Sequence, residues 1–445
     1  MQEAGSLLVK LLEKQKVDRV FCVPGESYLS VMNGLQETSI ETILCKHEGA
    51  ASMMAEADGK LTGRPGIAFV TRGPGATNAA SGIHIAQQDS TPMILFVGQI
   101  GKEMYGRDAF QEVDYQQFYG GMAKLVIEVQ QSDRLSEIFS RAYHTAMSGR
   151  PGPVIIALPE NMLTEKTDKK PLEFIDQLMS APTTKDLAQF IEEIKEAKNP
   201  IVVLGGSIWS HEAEKDLISI SEMLGLTIIT SHRRQSYYNN LHKNYGGDLG
   251  LGVNPKLIDR INNSDYLVLL GGRLSENPSQ GFTLLGIPEH NKKFIHIHPG
   301  SEEIGRIYKP HLGIVSNPIA FVNILNNALK GLNTKPNSNN ELNAFKSHEE
   351  YIEWGDMPLE APNSGVDLTS AFRTLRKHLD PNTIITNGAG NYAVWGHRLF
   401  RFTKVKTQLA PISGSMGYGL PAAIAAKLRF PDNMVIALAG DGCFQ

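Results

Sequence analysis

Short apolar runs recur along the whole chain, and each ends at a turn that leads into a stretch with helical spacing. They include Ile67–Thr71, Pro92–Val97 and Pro153–Leu158. Because these runs are apolar throughout rather than alternating, they are typical of parallel strands buried on both faces. Parallel strands need helical crossovers between them. The chain is therefore predicted to be α/β.

Two polar stretches, residues 161–184 and 331–340, divide the series of apolar runs. The 445 residues are too many for one ordinary core. We expect three consecutive α/β domains with parallel sheets, at residues 1–165, 185–332 and 360–445. Further strands are expected at Arg19–Val23, Ile43–Cys45, Ile201–Leu204, Thr227–Thr230, Tyr266–Leu270, Phe294–His298, Thr383–Thr386 and Met434–Ala439.

Charge and composition narrow the class of partners. A formal net charge of −4 leaves no basic footprint for nucleic acid. No apolar run reaches membrane-spanning length, and the N-terminus lacks the layout of a signal peptide. The three cysteines, Cys22, Cys45 and Cys443, are far apart in sequence, which favours a reducing compartment. We expect a cytoplasmic protein without membrane or nucleic-acid partners.

Two turns of the first domain carry candidate chemistry. Glu48, in HEGAA, follows a strand, and the carboxyl ends of parallel strands are where open α/β sheets bind ligands. A glutamate that merely begins a helix explains the same position. TRGPGATN, at 71–78, also joins a strand to a helix, but Asn78 stands where a dinucleotide fingerprint has its third glycine.

The third domain adds two glycine-rich turns. SGSMGYGLPAA, at 413–423, leads into an alanine-rich helix, and Gly440-Asp441-Gly442 follows a strand. An aspartate there can offer a hard oxygen ligand to Mg²⁺ beside diphosphate oxygens. Taken alone, an Asp-Gly pair is more often a plain turn.

Taken in order, these motifs resemble the thiamine-diphosphate-dependent enzymes of the acetolactate synthase group. The series also includes Pro24-Gly25, DAFQE at 108–112 and SGRPGPV at 148–154, so the resemblance covers the whole chain. It implies pyrimidine-binding, central and diphosphate-binding domains in that order. Because a helix should continue beyond Gln445, we expect the third domain to be truncated and the second magnesium ligand to be missing, which would weaken cofactor binding.

The resemblance implies thiamine diphosphate and Mg²⁺ as cofactors. Glu48 would bind the aminopyrimidine ring and help move a proton, in apolar surroundings that favour a protonated carboxyl. Met416 would lie under the folded cofactor, Gly414 would contact the pyrimidine, and Asp441 would be the first magnesium ligand. The remaining implied cofactor contacts are Pro24, Gly25, Pro74, Asn78, Gly390, Asn391, Tyr392, Gly440 and Gly442.

The implied reaction is decarboxylation of a 2-oxo acid, with pyruvate expected, and carboligation to a second 2-oxo acid, as in branched-chain amino acid biosynthesis. Gln111 matches a catalytic glutamine near the acceptor, and Phe110 a substrate-pocket residue. The active site would lie between subunits of a homodimer or homotetramer. A small regulatory subunit is a further candidate partner.

Glu26 departs from the pattern, because acetolactate synthases usually have a glycine there. The position faces the reacting carbon, so an acid could protonate the intermediate and favour simple decarboxylation. A solvated loop glutamate is the alternative. A non-ligating decarboxylase, or another thiamine-dependent lyase or acyltransferase, therefore stays open. An inactive binding or regulatory subunit is the candidate from a different class, against which Glu48 and Asp441 argue.

The central domain also departs from the family's pattern, which leaves open whether it binds FAD. The family's flavin stretch is Arg-rich, whereas residues 271–277 offer only Arg273, and the usual acidic pair on the next strand is replaced by His296 and His298. Arg150 matches a flavin-contacting arginine in a motif that relatives without flavin share. Any flavin would be structural, and the two histidines, on one strand face, favour a packed strand over a metal site.

Overall fold

The computed structural model describes residues 1–207, 209–357, 359–360 and 362–444. They divide into two compact units. The first contains Met1–Leu178 and Pro411–Pro431, and the second contains Met179–Ala410 and the residues from Asp432 onward. The first boundary, at Leu178, lies inside the polar stretch 161–184.

The first unit is built on a six-stranded sheet. Its first part has the strands β1 (Gln2–Glu3), β2 (Arg19–Cys22), β3 (Glu41–Leu44), β4 (Gly66–Val70), β5 (Met93–Gln99), β6 (Leu125–Glu128), β7 (Pro153–Pro159) and β8 (Lys166–Thr167). The helices are α1 (Ala4–Lys14), α2 (Leu29–Gln36), α3 (Glu48–Thr62), α4 (Pro74–Asp89), α5 (Tyr115–Tyr119), α6 (Leu135–Met147) and α7 (Glu160–Leu163). The sheet is parallel throughout, in the order β3-β2-β4-β5-β7-β6, and β1 pairs with β8 antiparallel.

The later part of the chain adds the following elements. The strands are β9 (Ile201–Leu204), β10 (Thr227–Ser231), β11 (Tyr245–Leu249), β12 (Tyr266–Leu270), β13 (Lys293–His298), β14 (Leu312–Val315), β15 (Ile384–Asn387), β16 (Gln408–Leu409) and β17 (Val435–Leu438). The helices are α8 (Thr184–Glu196), α9 (His211–Leu224), α10 (Pro255–Asn262), α11 (Pro318–Gly331), α12 (Ser338–Asp356), α13 (Leu368–His378), α14 (Tyr392–Leu399), α15 (Gly419–Arg429) and α16 (Asp441–Phe444). Of these, α15 belongs to the first unit.

The second unit contains two parallel sheets. One has six strands in the order β11-β10-β9-β12-β13-β14, and the other has three in the order β16-β15-β17. The larger sheet is parallel at every pairing, as is the smaller one. The predicted α/β class with parallel sheets is therefore confirmed.

Local sequence explains where the first helices begin and end. The apolar side chains of α1 that share helical spacing, from Ala4 to Leu12, are buried. Helix α3 begins after His47, whose ring Nδ1 accepts a hydrogen bond from the backbone N–H of Gly49, and it ends at Gly63 in the left-handed region. Helix α4 begins with Pro74, whose missing N–H costs nothing at that position.

The strands that the sequence missed lie mostly at sheet edges. Strands β6, β14 and β16 lie at sheet edges, and β14 alternates buried and exposed residues instead of being apolar throughout. In β11, Gly246, Gly247 and Asp248 interrupt the apolar run. The stretch 331–340, expected to be a linker, includes the start of α12, because the Asn337 side chain accepts from the Asn339 N–H and caps the helix.

No helix in the part of the chain that the structure describes is long and apolar enough to cross a membrane.

Glu214, on α9, gives the second unit a pH-dependent stability. Burial raises the pKa of its carboxyl from the ordinary 4.5 to about 7. The folded state then holds a proton that the unfolded state releases, so stability is lost as pH rises from 4.5 towards 7. We compare the free energy of unfolding of Glu214→Gln with that of the wild type by chemical denaturation. Between about pH 5 and about pH 8, this difference should shift in favour of the variant by up to ~3 kcal/mol. Exposed Glu212→Gln, on the same helix, should show no such gain, and an unchanged pH slope in Glu214→Gln would contradict the assignment.

Candidate functional site

The order of strands in the first unit reverses beside β2. Strand β3 pairs with one edge of β2 and β4 with the other, which makes the carboxyl ends of β2 and β4 the switch point of the sheet. The turns Pro24-Gly25 and TRGPG follow these strands. They approach so closely that a Cβ added to Gly25 would lie 2.5 Å from Cβ of Thr71. Pro24 itself is exposed.

Glu48 begins α3 at this same edge of the sheet. It is half-buried, and its Oε2 accepts a hydrogen bond of 3.0 Å from Nδ2 of Asn78 on α4. A Cβ added to Gly75 would lie 3.3 Å from Oε1 of Glu48. The structure thus brings together Glu48, Asn78 and the glycine turn that begins with exposed Pro74 on α4. The surroundings are less apolar than the sequence suggested, because the carboxylate has a polar amide partner.

The DAFQE segment folds back on the glycine turn. Gly73 has φ of 58°, and a Cβ there would meet the Cβ of Gln111 at 2.8 Å. Gln111 itself adopts a left-handed φ of 66°, whereas Phe110 is 76% exposed. Gln111 therefore lies at the candidate site, and Phe110 projects towards solvent.

Arg72 was missed by the sequence reasoning, although it stands inside TRGPG. Its side chain is nine-tenths buried, and it pairs with Glu26 at 3.4 Å and with Glu160 at 2.5 Å. Glu160 begins α7 after β7, so the arginine joins three turns at one edge of the sheet. Glu26, the residue that stands in place of the family's usual glycine, thus has Arg72 as a partner, although its side chain is 73% exposed.

The SGSMG loop belongs to the first unit and is open. Gly414 and Gly417 have φ of 68° and 78°, and a Cβ added to either would meet no atom within 4 Å. Met416 is 55% exposed. Beyond the loop, α15 packs on α3. The loop therefore has open space around its glycines and presents one exposed thioether side chain.

In the second unit, two neighbouring strands bring the remaining candidates together. Strands β15 and β17 are parallel partners, so the turns that follow them lie side by side. A Cβ added to Gly440 would be 3.4 Å from the ring of Tyr392, and the Tyr392 hydroxyl lies 3.7 Å from Sγ of Cys443. Gly390, Asn391, Asp441 and Gly442 are exposed around this junction.

The chemistry of this junction suits a magnesium diphosphate. Among the residues that the structure describes, no three His, Cys, Asp or Glu side chains gather into a metal site. Mg²⁺ needs no such cage, because one or two carboxylates and phosphate oxygens suffice. Exposed Asp441 offers the carboxylate, and the N-terminus of α14 offers backbone N–H groups to an anion.

Of the two arginines expected to contact a flavin, one has another partner and the other lines a small cavity. Nε of Arg150 donates to Oγ of Ser90 at 2.9 Å. Arg273 and His296 line a cavity of about 150 Å³, and His296 Nε2 lies 3.0 Å from the carbonyl oxygen of Gly272. Ring Nδ1 of His298 accepts from the N–H of Gly300 at 3.0 Å. Both histidines thus bond to backbone at the ends of strands.

Glycine turns at the carboxyl ends of parallel strands, next to helix N-termini, define a class of α/β proteins that bind phosphorylated cofactors. Comparison with known families identifies the class more closely. The N-terminal TPP-binding domain of thiamine pyrophosphate enzymes matches residues 2–118, their central domain matches 187–325, and their C-terminal TPP-binding domain matches 388–445.

Relatives match nearly the whole chain. This chain is 30% identical to a probable acetolactate synthase large subunit of Methanococcus aeolicus, and the match covers 98% of this chain and 76% of that protein. Identity to the acetolactate synthase large subunit of Corynebacterium glutamicum is 29%, with 98% and 70% covered. The Lactococcus lactis large subunit is 28% identical, with 99% and 76% covered. The chain belongs to the thiamine pyrophosphate enzyme family, in the group of acetolactate synthase large subunits, and this resemblance is confirmed.

Gly73 tests how tightly the first turn is built. Gly73→Ala should be destabilised by strain at its positive φ and by the contact with Gln111 at 2.8 Å. Gly106→Ala is the matched control, because Gly106 has φ of 73° but no atom within 4 Å of an added Cβ. In chemical denaturation, we expect the free energy of unfolding to fall by ~1–3 kcal/mol more in Gly73→Ala than in the control. Equal losses would show that the turn tolerates a side chain.

Proposed function

We propose that this thiamine-dependent enzyme decarboxylates a 2-oxo acid, with pyruvate expected, and joins the remaining fragment to a second 2-oxo acid in branched-chain amino acid biosynthesis. The observation that carries the proposal is the position of Glu48. It begins a helix at the switch point of the first sheet, and Asn78 holds its carboxylate. The chain belongs to a family whose named relatives are acetolactate synthases.

The residues present fit thiamine diphosphate and Mg²⁺. Asp441 would hold the metal, and the turn Gly390-Asn391-Tyr392 would hold the diphosphate through backbone N–H groups. When bound, thiamine diphosphate would supply a nucleophilic carbanion and an electron sink for decarboxylation. Glu48 would hydrogen-bond the pyrimidine ring and hold the proton that this ring exchanges. Met416 and Gly414 would form the surface against which the rings rest.

The contacts of Tyr418, which immediately precedes α15, support a site shared between two copies of the chain. Tyr418, two residues after Met416, bonds to Glu56 and Lys60 of α3. With a rise of 1.5 Å per residue, these lie about 12 and 18 Å along α3 from Glu48. The loop with Met416 is therefore anchored away from the Glu48 end of α3. In the proposed homodimer or homotetramer, Glu48 of one copy and Met416 of another would face the same cofactor.

Gln111 and Phe110 are the proposed contacts with 2-oxo acids. Gln111 is fixed against the glycine turn, where its amide could bind the acceptor carbonyl or carboxylate. Phe110, being exposed, would line the pocket from the mouth rather than from its floor.

Flavin fits less well than thiamine diphosphate. The cavity of about 150 Å³ beside Arg273 is smaller than the ~300 Å³ at which ligand pockets usually begin. Arg150 is engaged by Ser90. The visible absorbance of the purified protein tests whether a flavin is bound.

Replacing Glu48 tests the mechanism. Glu48→Gln keeps the shape of the side chain but cannot hold or release the proton, so acetolactate formation from pyruvate should fall by about 100-fold or more. The assay contains saturating thiamine diphosphate and Mg²⁺, and circular dichroism checks folding. Glu13→Gln, an exposed change on α1, is the control and should keep full activity. Undiminished activity in Glu48→Gln would refute the role.

Glu26 favours a second candidate function, simple decarboxylation. Its carboxylate is exposed but tied to buried Arg72, and it follows the Pro24-Gly25 turn at the switch point. A carboxylate there, open to solvent, could take up a proton from water and pass it to the decarboxylated intermediate, which would release an aldehyde before the acceptor adds.

The products formed from pyruvate distinguish the two functions. We expect acetolactate as the main product, with a minor share of acetaldehyde that falls in Glu26→Gln because the proton donor is lost. Glu13→Gln, the exposed change on α1, is the control and should leave the product ratio at the wild-type value. Acetaldehyde without acetolactate from the wild type would rule out carboligation.

A further inference from the structure

A buried polar cluster lies in the first unit, separate from the residues proposed to contact cofactor or substrate. We call it the anchor cluster, and its members are Glu56, Lys60, Asp89, Thr91 and Tyr418. None is more than 8% exposed. Four of them come from α3, α4 and the turn that follows α4, and the fifth immediately precedes α15. The cluster thus joins residues more than 300 positions apart in sequence.

Lys60 is at the centre of the anchor cluster. Its ammonium lies 3.0 Å from Oε1 of Glu56 and forms an ion pair with Asp89. The Tyr418 hydroxyl donates to Oε2 of Glu56 at 2.7 Å and lies 3.3 Å from Nζ of Lys60. The Thr91 hydroxyl donates to Oε1 of Glu56 at 2.6 Å. Both oxygens of Glu56 are therefore engaged.

Asp89 extends the anchor cluster to the backbone of the SGSMG loop. Its Oδ1 accepts a hydrogen bond of 2.8 Å from the N–H of Ile412, two residues before Gly414. Tyr418 follows Gly417 directly. The loop is therefore held at both ends, whereas its interior is open, since Gly414 and Gly417 have no neighbour for a side chain and Met416 is exposed. The conformation of the loop depends on these two end points.

Stability alone does not account for such a cluster. Buried ion pairs lose as much in desolvation as they gain, and apolar residues of the same volume often stabilise a protein as well or better. Two carboxyls here share one lysine, and burial together with Asp89 raises the pKa of Glu56. What charged hydrogen bonds add is geometry, because they fix distance and direction.

The far end of the same segment supplies a comparison. Arg429, at the end of α15, bonds to Asp18 at 2.6 Å and to Asp58 at 2.8 Å. This second anchor also ties the segment to the first unit, but it lies eleven residues beyond Tyr418. It therefore contributes to docking of α15 without touching the loop.

We propose that the anchor cluster positions the Ser413–Gly417 loop for thiamine diphosphate, so that Asp89 and Tyr418 set cofactor affinity without touching the cofactor. This proposal rests on the proposed function, in which Gly414 and Met416 contact the cofactor. Asp89 and Tyr418 are positioning residues. Their loss lets the loop sample other conformations, and the cofactor must then select the competent one.

The test compares Asp89→Asn and Tyr418→Phe with Arg429→Gln in the full chain. Thiamine diphosphate is titrated with Mg²⁺ present, binding is measured by calorimetry, and unfolding is measured in parallel. We expect the dissociation constant to rise about tenfold in Asp89→Asn and Tyr418→Phe. In Arg429→Gln the dissociation constant should stay within about twofold of the wild-type value, even where this variant loses as much stability as the other two. At saturating cofactor, kcat of Asp89→Asn and of Tyr418→Phe should return to near the wild-type value.

The outcomes separate this proposal from the function on which it rests. Because weak binding is expected, the titration extends to high cofactor concentration, and a wild-type protein that binds no thiamine diphosphate even there would refute the proposed function itself. If the wild type binds but both variants bind equally well, or lose no more affinity than Arg429→Gln at equal stability loss, the positioning role is wrong. Tyr418→Phe keeps the ring and removes one hydroxyl, so it decides the matter where Asp89→Asn fails to fold.

Discussion

Parallel pairing of strands buried on both faces is the constraint on which the rest of the structure depends. Such strands leave no place for polar chemistry along their length, as the fully buried β4, β5 and β7 show. Because parallel strands end at the same edge, the turns after β2, β3, β4 and β7 converge there. Glu26, Glu48, Arg72 and Glu160 are neighbours of that edge for this reason, although they come from distant parts of the sequence.

Part of this arrangement follows from the sequence alone, because it is local. The central strands and the glycine turns were predicted within a residue or two, since apolar runs and turn residues act over a few positions. The sheet edges β6, β14 and β16 were missed because half-buried or very short strands lack an unbroken apolar run. The junction of Gly440 with Tyr392 follows once β15 and β17 are known to be partners.

The contacts that position the candidate site were beyond the reach of sequence patterns. The bond from Ile412 to Asp89 joins residues 323 positions apart, and the pair Arg72 with Glu160 joins residues 88 apart. No spacing rule links such residues, because their meeting depends on how helices dock on the sheet. The anchoring of Pro411–Pro431 within the first unit is of the same kind. The motifs mark the candidate residues, and long-range buried polar contacts fix their positions.

The ion pair between Glu26 and Arg72 shows how these two levels meet. At 3.4 Å, with the Glu26 side chain 73% exposed, the pair contributes little to stability, since water screens such pairs strongly. Arg72, in contrast, is nine-tenths buried and needs Glu160 as a counter-charge. One buried arginine with a firm partner on one side thus presents its charge to a solvent-facing carboxylate on the other. Where Glu26 finds this counter-charge therefore depends on β7 and α7 as much as on its own turn.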